Sequence, residues 1–200
     1  MIVTLSGITG TGKSFFKDAI SKNLGFKNLV IVTTRKKRNG EIAGIDKEFV
    51  SNKEFEKMVQ KKQITVNFEF LGAKYGYRRK LLESNENQVT EVHYSTIYDI
   101  KKHAKDIFSI YIIPNDVERA KIELKNRNLT KETEKARLQE IEEHIKEYSK
   151  NEELRKQFDL EFINDYTENA KNKLIELIQK ECLKRKKKNY LKWISSVYNK

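Results

Sequence analysis

The stretch VTLSGITGTGKSFF, residues 3–16, decides the fold of this chain. An apolar run of strand length is followed by a glycine-rich loop and then by a helical pattern, so we predict a strand over 2–5 and a helix over 13–23. The loop from Gly7 to Ser14 satisfies the pattern G-x-x-x-x-G-K-[ST]. Glycines there allow backbone N–H groups to surround phosphate oxygens, and the positive end of the helix adds to the attraction. The stretch therefore predicts a phosphate-binding loop.

The last two residues of the loop have separate expected roles. Lys13 reaches the outer phosphates of a nucleoside triphosphate, and Ser14 offers its hydroxyl to Mg²⁺. ATP is the expected triphosphate. The residues predicted to bind it here are Gly7, Ile8, Thr9, Gly10, Thr11, Gly12, Lys13 and Ser14.

Length and composition narrow what the rest of the chain can be. Two hundred residues suffice for one compact domain with small insertions. No apolar run approaches the roughly eighteen residues of a membrane span, and the first residues lack the pattern of a signal peptide. Cys182 is the only cysteine, so an internal disulfide is excluded and a cytoplasmic location is expected.

The net charge of +12 indicates anionic partners, which are nucleic acid, a membrane surface or a phosphorylated small molecule. Basic residues form the runs RKKR at 35–38 and KRKKK at 184–188, and such runs are most often solvated faces. We expect nucleotides as partners, no membrane, and no nucleic acid.

The last residues of the chain carry aromatic and aliphatic side chains at a spacing that fits one helical face. These residues are Tyr190, Trp193, Ile194, Val197 and Tyr198. The favoured interpretation is a terminal helix that packs them onto the core. The alternatives are a docking helix for another subunit, such as a homodimer partner, and a basic, aromatic strip for nucleic acid.

Strands and helices alternate along the chain, which predicts an α/β fold with a mostly parallel sheet covered on both faces. The predicted strands are 2–5, 28–32, 64–72, 88–92, 107–113 and 160–164. The predicted helices are 13–23, 52–61, 96–104, 115–126, 131–150 and 167–187. The expected divisions are a core (1–33, 88–124 and 151–188), an insertion with hairpin-like strands (34–87), a mobile helical lid (125–150) and a tail (184–200).

The stretch TTRKKRNGEIAGIDKEFVS, residues 33–51, resembles the guanylate kinase family, whose pattern there is T-T-R-x-x-R-x-G-E-x-x-G-x-D-Y-x-F-V-S. Arg35 and Arg38 are in register with the two arginines of that pattern. Two arginines at this spacing suit one phosphate, since each guanidinium can donate a forked pair of hydrogen bonds. The resemblance implies that both bind the phosphoryl group of a nucleoside monophosphate.

Further motifs of the family follow in the same order, and the resemblance covers about 1–180. AKYGY at 73–77 is similar to the family's Y-G-T/S turn, which implies that Tyr75 contacts the acceptor. VTEVH at 89–93 takes the place of the family's L-D-I-D strand, which sets Glu91 beside the acceptor nucleoside and near Mg²⁺.

The second half of the chain resembles the family's lid and its last strand. LKNRNLTKETEKARL is similar to the lid, which implies that Arg127 and Arg137 reach the transferring phosphoryl group. FDLEFINDYTENA is similar to the terminal motif, which implies that Asn164 lies near the adenine of ATP, and the resemblance to the lid implies that Arg127 also contacts ATP.

The resemblance implies a three-layer P-loop NTPase fold with an inserted nucleoside-monophosphate-binding subdomain and a helical lid. It also implies ATP- and Mg²⁺-dependent phosphoryl transfer to GMP or dGMP, with Lys13, Arg38, Arg127 and Arg137 as catalytic residues. The alternatives are a kinase for another nucleoside monophosphate and a binding module that has lost turnover.

The departures from the family pattern cluster at the acceptor. Lys47 stands where the family has tyrosine, and Tyr77 stands where it has serine or threonine. A family serine falls on Ile31 or Val32, and the guanine-reading glutamate falls on Val66.

Glu69 is the remaining candidate for reading guanine. It takes that place if the hairpin between Glu69 and Tyr75 is three residues shorter than in the family. Without such a gap, it is an exposed glutamate on the opposite face of its strand.

Overall fold

The computed structural model describes residues 1–126 and 129–198. The strands are β1 (Ile2–Ser6), β2 (Lys27–Asn28), β3 (Ile31–Thr33), β4 (Lys47–Phe49), β5 (Ile64–Phe70), β6 (Ala73–Arg78), β7 (Gln88–Glu91), β8 (Ile107–Pro114) and β9 (Leu160–Asn164). The α-helices are α1 (Lys13–Leu24), α2 (Asn52–Gln60), α3 (Arg79–Leu82), α4 (Ile97–His103), α5 (Val117–Lys125), α6 (Lys131–Lys150), α7 (Glu152–Arg155) and α8 (Glu168–Tyr198). Every predicted helix and strand has a counterpart here; the segments 28–32 and 167–187 differ most.

The larger sheet has five strands in the order β2-β7-β1-β8-β9, and every pairing in it is parallel. Its central strand, β1, is buried along all five residues, as the apolar run IVTL predicts for a parallel strand covered on both faces. Helices α1 and α8 cover one face with Phe16, Ile20 and Leu174. Helices α4 and α6 cover the other with residues such as Ile97 and Tyr148. The predicted three-layer α/β fold is confirmed.

The smaller sheet has four strands in the order β4-β3-β6-β5. Strands β5 and β6 form a hairpin whose turn residues, Leu71 and Gly72, both have positive φ angles, of 49° and 70°. Helix α2 packs on this sheet through Phe55 and Met58, which meet Val32. The sheet lies within 31–78, and the functional division of the chain into core, insertion and lid stays a prediction.

The predicted strand 28–32 was wrong as a single element. Asn28 pairs with β7 in the larger sheet, whereas Ile31 and Val32 pair with β4 in the smaller one. An apolar run reports burial but not which sheet buries it, so two short strands in different sheets look like one.

Helix α6 is attached to the core by its second half, where Ile141, His144 and Tyr148 are buried. Helix α8 is longer than predicted and continues to Tyr198. The interpretation that the tail packs its aromatic residues onto the core is wrong for Tyr190 and Trp193, which are 60% and 58% exposed. Within the described residues, no helix has both the length and the apolar character that a membrane crossing requires.

Candidate active site

A cavity of about 830 Å³ opens at the carboxyl ends of the parallel strands. The loop after β1, the end of β7 and the end of β9 line one side of it, and residues of the smaller sheet and of α6 line the other. Crevices at the carboxyl ends of strands are where open α/β sheets bind ligands. The cavity therefore brings together segments that are far apart in the sequence.

The glycine-rich loop has the conformation that its sequence predicts. Gly7, Gly10 and Gly12 have φ angles of 138°, 91° and 78°, which side chains disfavour. A Cβ atom on Gly10 would lie 2.1 Å from the carbonyl oxygen of Ala120 in α5. Only glycine fits this place, where the loop is pressed against the neighbouring helix.

Lys13 begins α1 and points its side chain back over the loop. Its ammonium donates hydrogen bonds to the carbonyl oxygens of Gly7, at 2.8 Å, and Ile8, at 2.7 Å. These bonds hold the positive charge beside the loop, inside the cavity.

Two residues at the end of β9 support the loop through its backbone. The buried amide of Asn164 donates to the carbonyl oxygen of Thr11 at 3.1 Å, and the Tyr166 hydroxyl donates to that of Gly10 at 3.2 Å. Asn164 also lines the cavity. The sequence singled out Asn164 for ATP, and its observed contact is with the loop itself; its role in ATP binding stays a prediction.

Ser14 and Glu91 meet across the cavity floor, where the Ser14 hydroxyl donates to the Glu91 carboxylate at 2.8 Å. Burial by itself raises the pKa of Glu91, but Lys13, Lys47 and Lys17 together with the Ser14 hydroxyl hold the pKa below its usual value. An ionised carboxylate and a hydroxyl are the hard oxygen ligands that suit Mg²⁺ bound mainly through substrate phosphates. The residues present therefore fit the expected metal.

Arg35 and Arg38 are organised by Glu41, a residue that the sequence analysis did not assign to the site. The Glu41 carboxylate accepts a forked pair of hydrogen bonds from the Arg35 guanidinium and one, at 2.8 Å, from the Arg38 backbone N–H. The Arg35 side chain, with that N–H, holds the pKa of Glu41 down to about 2. The signal for this role was present in the sequence, since Glu41 belongs to the same motif as the two arginines.

Lys47 is a second site residue that the sequence analysis noted only as a departure. It is half-buried and lines the cavity. Burial lowers the pKa of its ammonium, a shift that Glu91 opposes and that Arg35 and Lys17 reinforce. Among the described residues, no hydrogen bond or ion pair to this ammonium is found. A half-buried ammonium that lines the cavity and makes no direct ion pair is placed to contact an anionic group of a ligand.

Aromatic rings form the wall of the cavity beyond the arginines. Tyr75 stacks on Phe68 with ring centroids 5.2 Å apart, and both line the cavity. His93 stacks on Phe68 at 5.4 Å and lies 4.4 Å from Tyr94. Burial, together with His144, lowers the pKa of His93 to about 4, so its imidazole is neutral at physiological pH. Tyr75 therefore lies in the cavity, and its predicted contact with the acceptor stays a prediction.

The structure does not bring Glu69 to the cavity. Its neighbours Phe68 and Phe70 line the cavity, and Glu69 between them is exposed on the opposite face of β5. The two-residue hairpin turn leaves Glu69 paired with Lys74. Val66, at the family's glutamate position, is a core residue 3% exposed.

Tyr77, the departure from the family's serine or threonine, is buried and has a structural contact. Its ring is 0% exposed, and its hydroxyl donates to the carbonyl oxygen of Glu91 at 3.3 Å. Burial raises the pKa of the phenol, so it stays protonated. The side chain joins the smaller sheet to the end of β7.

Helix α6 lines one side of the cavity. The Arg137 guanidinium lies 4.8 Å from the centroid of the Phe70 ring, and Glu140, which sequence reasoning missed, accepts a hydrogen bond from the Thr9 hydroxyl at 3.1 Å. These two contacts connect α6 to the smaller sheet and to the phosphate loop. Arg127, the other predicted lid arginine, lies outside the described residues.

Comparison with known proteins identifies similar chains over most of this length. The family model described as guanylate kinase matches residues 1–181. The chain is 30% identical over 194 residues to the guanylate kinase of Malacoplasma penetrans (strain HF-2), covering 92% of this chain and 95% of that protein. It is also similar to the crystal structure of guanylate kinase from Anaplasma phagocytophilum, with a TM-score of 0.64 and 25% identity over 90% of this chain and 85% of that one.

Proposed function

The chain belongs to the guanylate kinase family, whose members are nucleoside monophosphate kinases, and we propose that it transfers the γ-phosphoryl group of ATP to GMP or dGMP in the presence of Mg²⁺. The products are ADP and GDP or dGDP. The observation that carries this proposal is that one cavity holds both a triphosphate-binding loop and a pair of arginines organised by Glu41.

Phosphoryl transfer depends on alignment and charge neutralisation more than on covalent chemistry by the protein. We assign the donor phosphates to the loop from Gly7 to Ser14, where backbone N–H groups and Lys13 stabilise the charge on the β- and γ-phosphates. Ser14 and Glu91 would hold Mg²⁺, which would neutralise phosphate charge. Asn164 and Tyr166 keep the loop in its shape through their hydrogen bonds to its carbonyl oxygens.

We assign the acceptor phosphate to Arg35, Arg38 and Tyr75, and add Lys47 to this set. The Glu41 carboxylate occupies one edge of the Arg35 guanidinium and so fixes the direction in which the other edge points. The Lys47 ammonium lies in the same cavity, half-buried, near Arg35 and Glu91. Together these groups hold the acceptor phosphate as the nucleophile.

Arg137 and Arg127 are the proposed lid arginines, which stabilise the charge on the group in transfer. The Arg137 guanidinium is already in the cavity, against Phe70. Contacts of α6 with the phosphate loop and with the smaller sheet would exclude water that otherwise hydrolyses ATP.

A second candidate is a kinase for another nucleoside monophosphate. It is favoured by one observation: Val66 is buried in the core, and Glu69 faces away from the cavity. The carboxylate that the family uses to read guanine therefore has no counterpart on β5. In either case the base lies against the aromatic wall of Phe68, Phe70 and Tyr75.

The test is ADP production with ATP and Mg²⁺, with GMP, dGMP, AMP, CMP, UMP and dTMP offered in parallel. Turnover confined to GMP and dGMP supports the first proposal. Preference for a different base supports the second and leaves the family assignment intact. ATP binding without turnover of any acceptor would instead indicate a binding module. The alternative of a homodimer and the expected cytoplasmic location are tested separately, by sedimentation and by cell fractionation.

A further inference from the structure

Helix α8 continues well beyond the part that packs on the larger sheet. Ala170, Leu174 and Ile178 are buried against that sheet. Arg185 forms ion pairs with Asp106 and with Glu181. Past this anchor, every residue over 186–193 is exposed. The exposed part lies beyond residue 181, where the match to the family model ends.

The distal segment of α8, which we define as residues 183–195, has its apolar side chains on one side of the helix and a row of three lysines on the other. With 3.6 residues per turn, its apolar residues fall on one side of the helix. These are Leu183, Tyr190, Leu191, Trp193 and Ile194. Leu183, Leu191 and Trp193 are 66%, 52% and 58% exposed, so this side faces solvent over three turns.

Lysines occupy the other side of the distal segment. Lys184, Lys188 and Lys192 follow one another at intervals of four residues, which places them in one row. Lys186 and Lys187 lie on the apolar side, near the first turn of the distal segment. Their long stems allow the ammonium groups to reach a polar boundary. The segment contains no aspartate or glutamate.

We propose that the distal segment of α8 lies on the surface of an anionic lipid bilayer, with its apolar side among the acyl chains and its lysines at the headgroups. Basic amphipathic helices with tryptophan and leucine on the apolar side bind membranes in this way, without spanning them. This proposal goes beyond phosphoryl transfer, which takes place in the cavity and needs no part of the segment.

The composition of the segment favours lipid over the other two partners. Single-stranded RNA would use the lysines and the rings of Tyr190 and Trp193, but it offers nothing to the exposed aliphatic side chains of Leu183 and Leu191. A second copy of the helix could cover the apolar side, but it would bring Lys186 and Lys187 of both copies together with no acidic residue of the segment beside them. An anionic bilayer offers acyl chains to the apolar side and charged headgroups to the lysines.

The chain contains one tryptophan, Trp193, and it lies on the apolar side, so it reports insertion directly. The full-length protein is mixed with vesicles of phosphatidylglycerol and phosphatidylcholine, and separately with vesicles of phosphatidylcholine alone. We expect a blue shift of Trp193 emission, quenching by brominated acyl chains and co-sedimentation with the anionic vesicles, all weakened by added salt.

Matched variants test the contributions of the apolar side and of the lysines separately. The double variant Leu191→Gln/Ile194→Gln is expected to abolish the blue shift. The double variant Lys188→Gln/Lys192→Gln is expected to weaken binding to anionic vesicles about 10- to 30-fold, from the usual contribution of a lysine near such a surface. Ser195→Gln, on the polar side, is the control and should bind like the wild type. Kinase activity should be unchanged in all three, which shows that each is folded.

Three results would overturn the proposal. One is the absence of any emission shift or co-sedimentation with anionic vesicles. Another is binding to poly(U) that displaces the protein from vesicles and depends on the same lysines but not on Leu191 and Ile194. The third is concentration-dependent self-association that buries Trp193 when no vesicles are present. None of these results depends on which acceptor the kinase uses.

Discussion

The donor and acceptor ends of the cavity differ in how closely they follow the family pattern. At the donor end every position of the phosphate loop matches, and the loop is held by backbone geometry and by hydrogen bonds to its carbonyl oxygens. At the acceptor end the arginines and Glu41 match, whereas Lys47, Val66 and Tyr77 do not. The residues that we propose to bind phosphate therefore match the family at both ends, and the differences concern the proposed contacts with the rest of the acceptor. Contacts that depend on a charge or on the backbone conformation allow few substitutions, whereas the side chains that surround a base can be exchanged more freely.

The largest effect is expected at the donor end, from Lys13→Ala. This change removes the ammonium that lies over the phosphate loop, and we expect kcat/KM to fall about 10³-fold, the range for losing one preorganised charge donor. Steady-state kinetics with saturating acceptor measure it. Lys22→Ala, an exposed change at the end of the same helix, is the matched control and should stay near wild type. A loss below tenfold in Lys13→Ala would contradict the assigned role.

Glu41→Gln tests whether the acceptor arginines depend on their carboxylate. Without it the Arg35 fork loses its fixed direction, so we expect kcat/KM for the acceptor to fall about 10- to 100-fold, as small misplacements do. The KM for ATP should change less than about twofold, because Glu41 touches no part of the phosphate loop. Equal losses for both substrates would instead indicate a general disturbance of the fold.

The same variant has a predicted pH signature in stability. Because the pKa of Glu41 is lowered to about 2 in the folded protein, its contribution is complete above the usual glutamate value and is lost as the pH falls toward 2. We expect wild type to exceed Glu41→Gln in free energy of unfolding by about 1–2 kcal/mol at pH 7, the scale of a charge-assisted hydrogen bond. Denaturant titrations should show this difference shrinking below about pH 4.5. A difference that persists at low pH would exclude the Arg35 pair as its source.

Lys47→Met tests whether the lysine that replaces the family's tyrosine at the acceptor end contacts the acceptor. We expect the acceptor KM to rise about tenfold through loss of one charged contact, with the KM for ATP unchanged. Lys37→Met, which removes an exposed lysine outside the cavity, is the control. Since burial lowers the pKa of Lys47, the wild-type acceptor KM should also rise with pH before an ordinary lysine titrates, and Lys47→Arg should remove that rise. An unchanged acceptor KM in Lys47→Met would remove Lys47 from the site.

The smallest effect is expected from Glu69→Gln. Because Glu69 is exposed on the face of β5 that points away from the cavity, the ratio of kcat/KM between GMP and AMP should change less than about twofold. The acceptor panel measures this ratio in wild type and variant. A large loss of preference for GMP would restore the interpretation in which a shortened hairpin places Glu69 at the base.

The order of the elements and the phosphate loop were predictable because each depends on neighbours in the sequence. The apolar run of β1, the glycines of the loop and the start of α1 all lie within residues 3–16, and local sterics restrict such a stretch to few conformations. The roles of Arg35 and Arg38 come from the resemblance of residues 33–51 to the family pattern, and they stay a prediction.

Contacts between distant segments were decided only by the tertiary structure. Residues 28–32 read as one strand, yet they divide between two sheets, and only the packed fold settles which partner each half takes. The same holds for the face on which Glu69 lies, which follows from the register of the β5–β6 hairpin.

Two further properties were left open by the sequence because they depend on the environment of a side chain. Lys47 became a candidate ligand only when the fold half-buried its ammonium beside Arg35 and Glu91. The distal segment of α8 became a candidate docking surface only when the core left Trp193 exposed. By itself the sequence determined the element types and the conformation of the glycine-rich loop, since these follow from short-range sterics and apolar periodicity, and it indicated the family through the order of its motifs. The tertiary structure decided which side chains share a cavity and which face solvent, because burial and charge pairing arise only when the chain is packed.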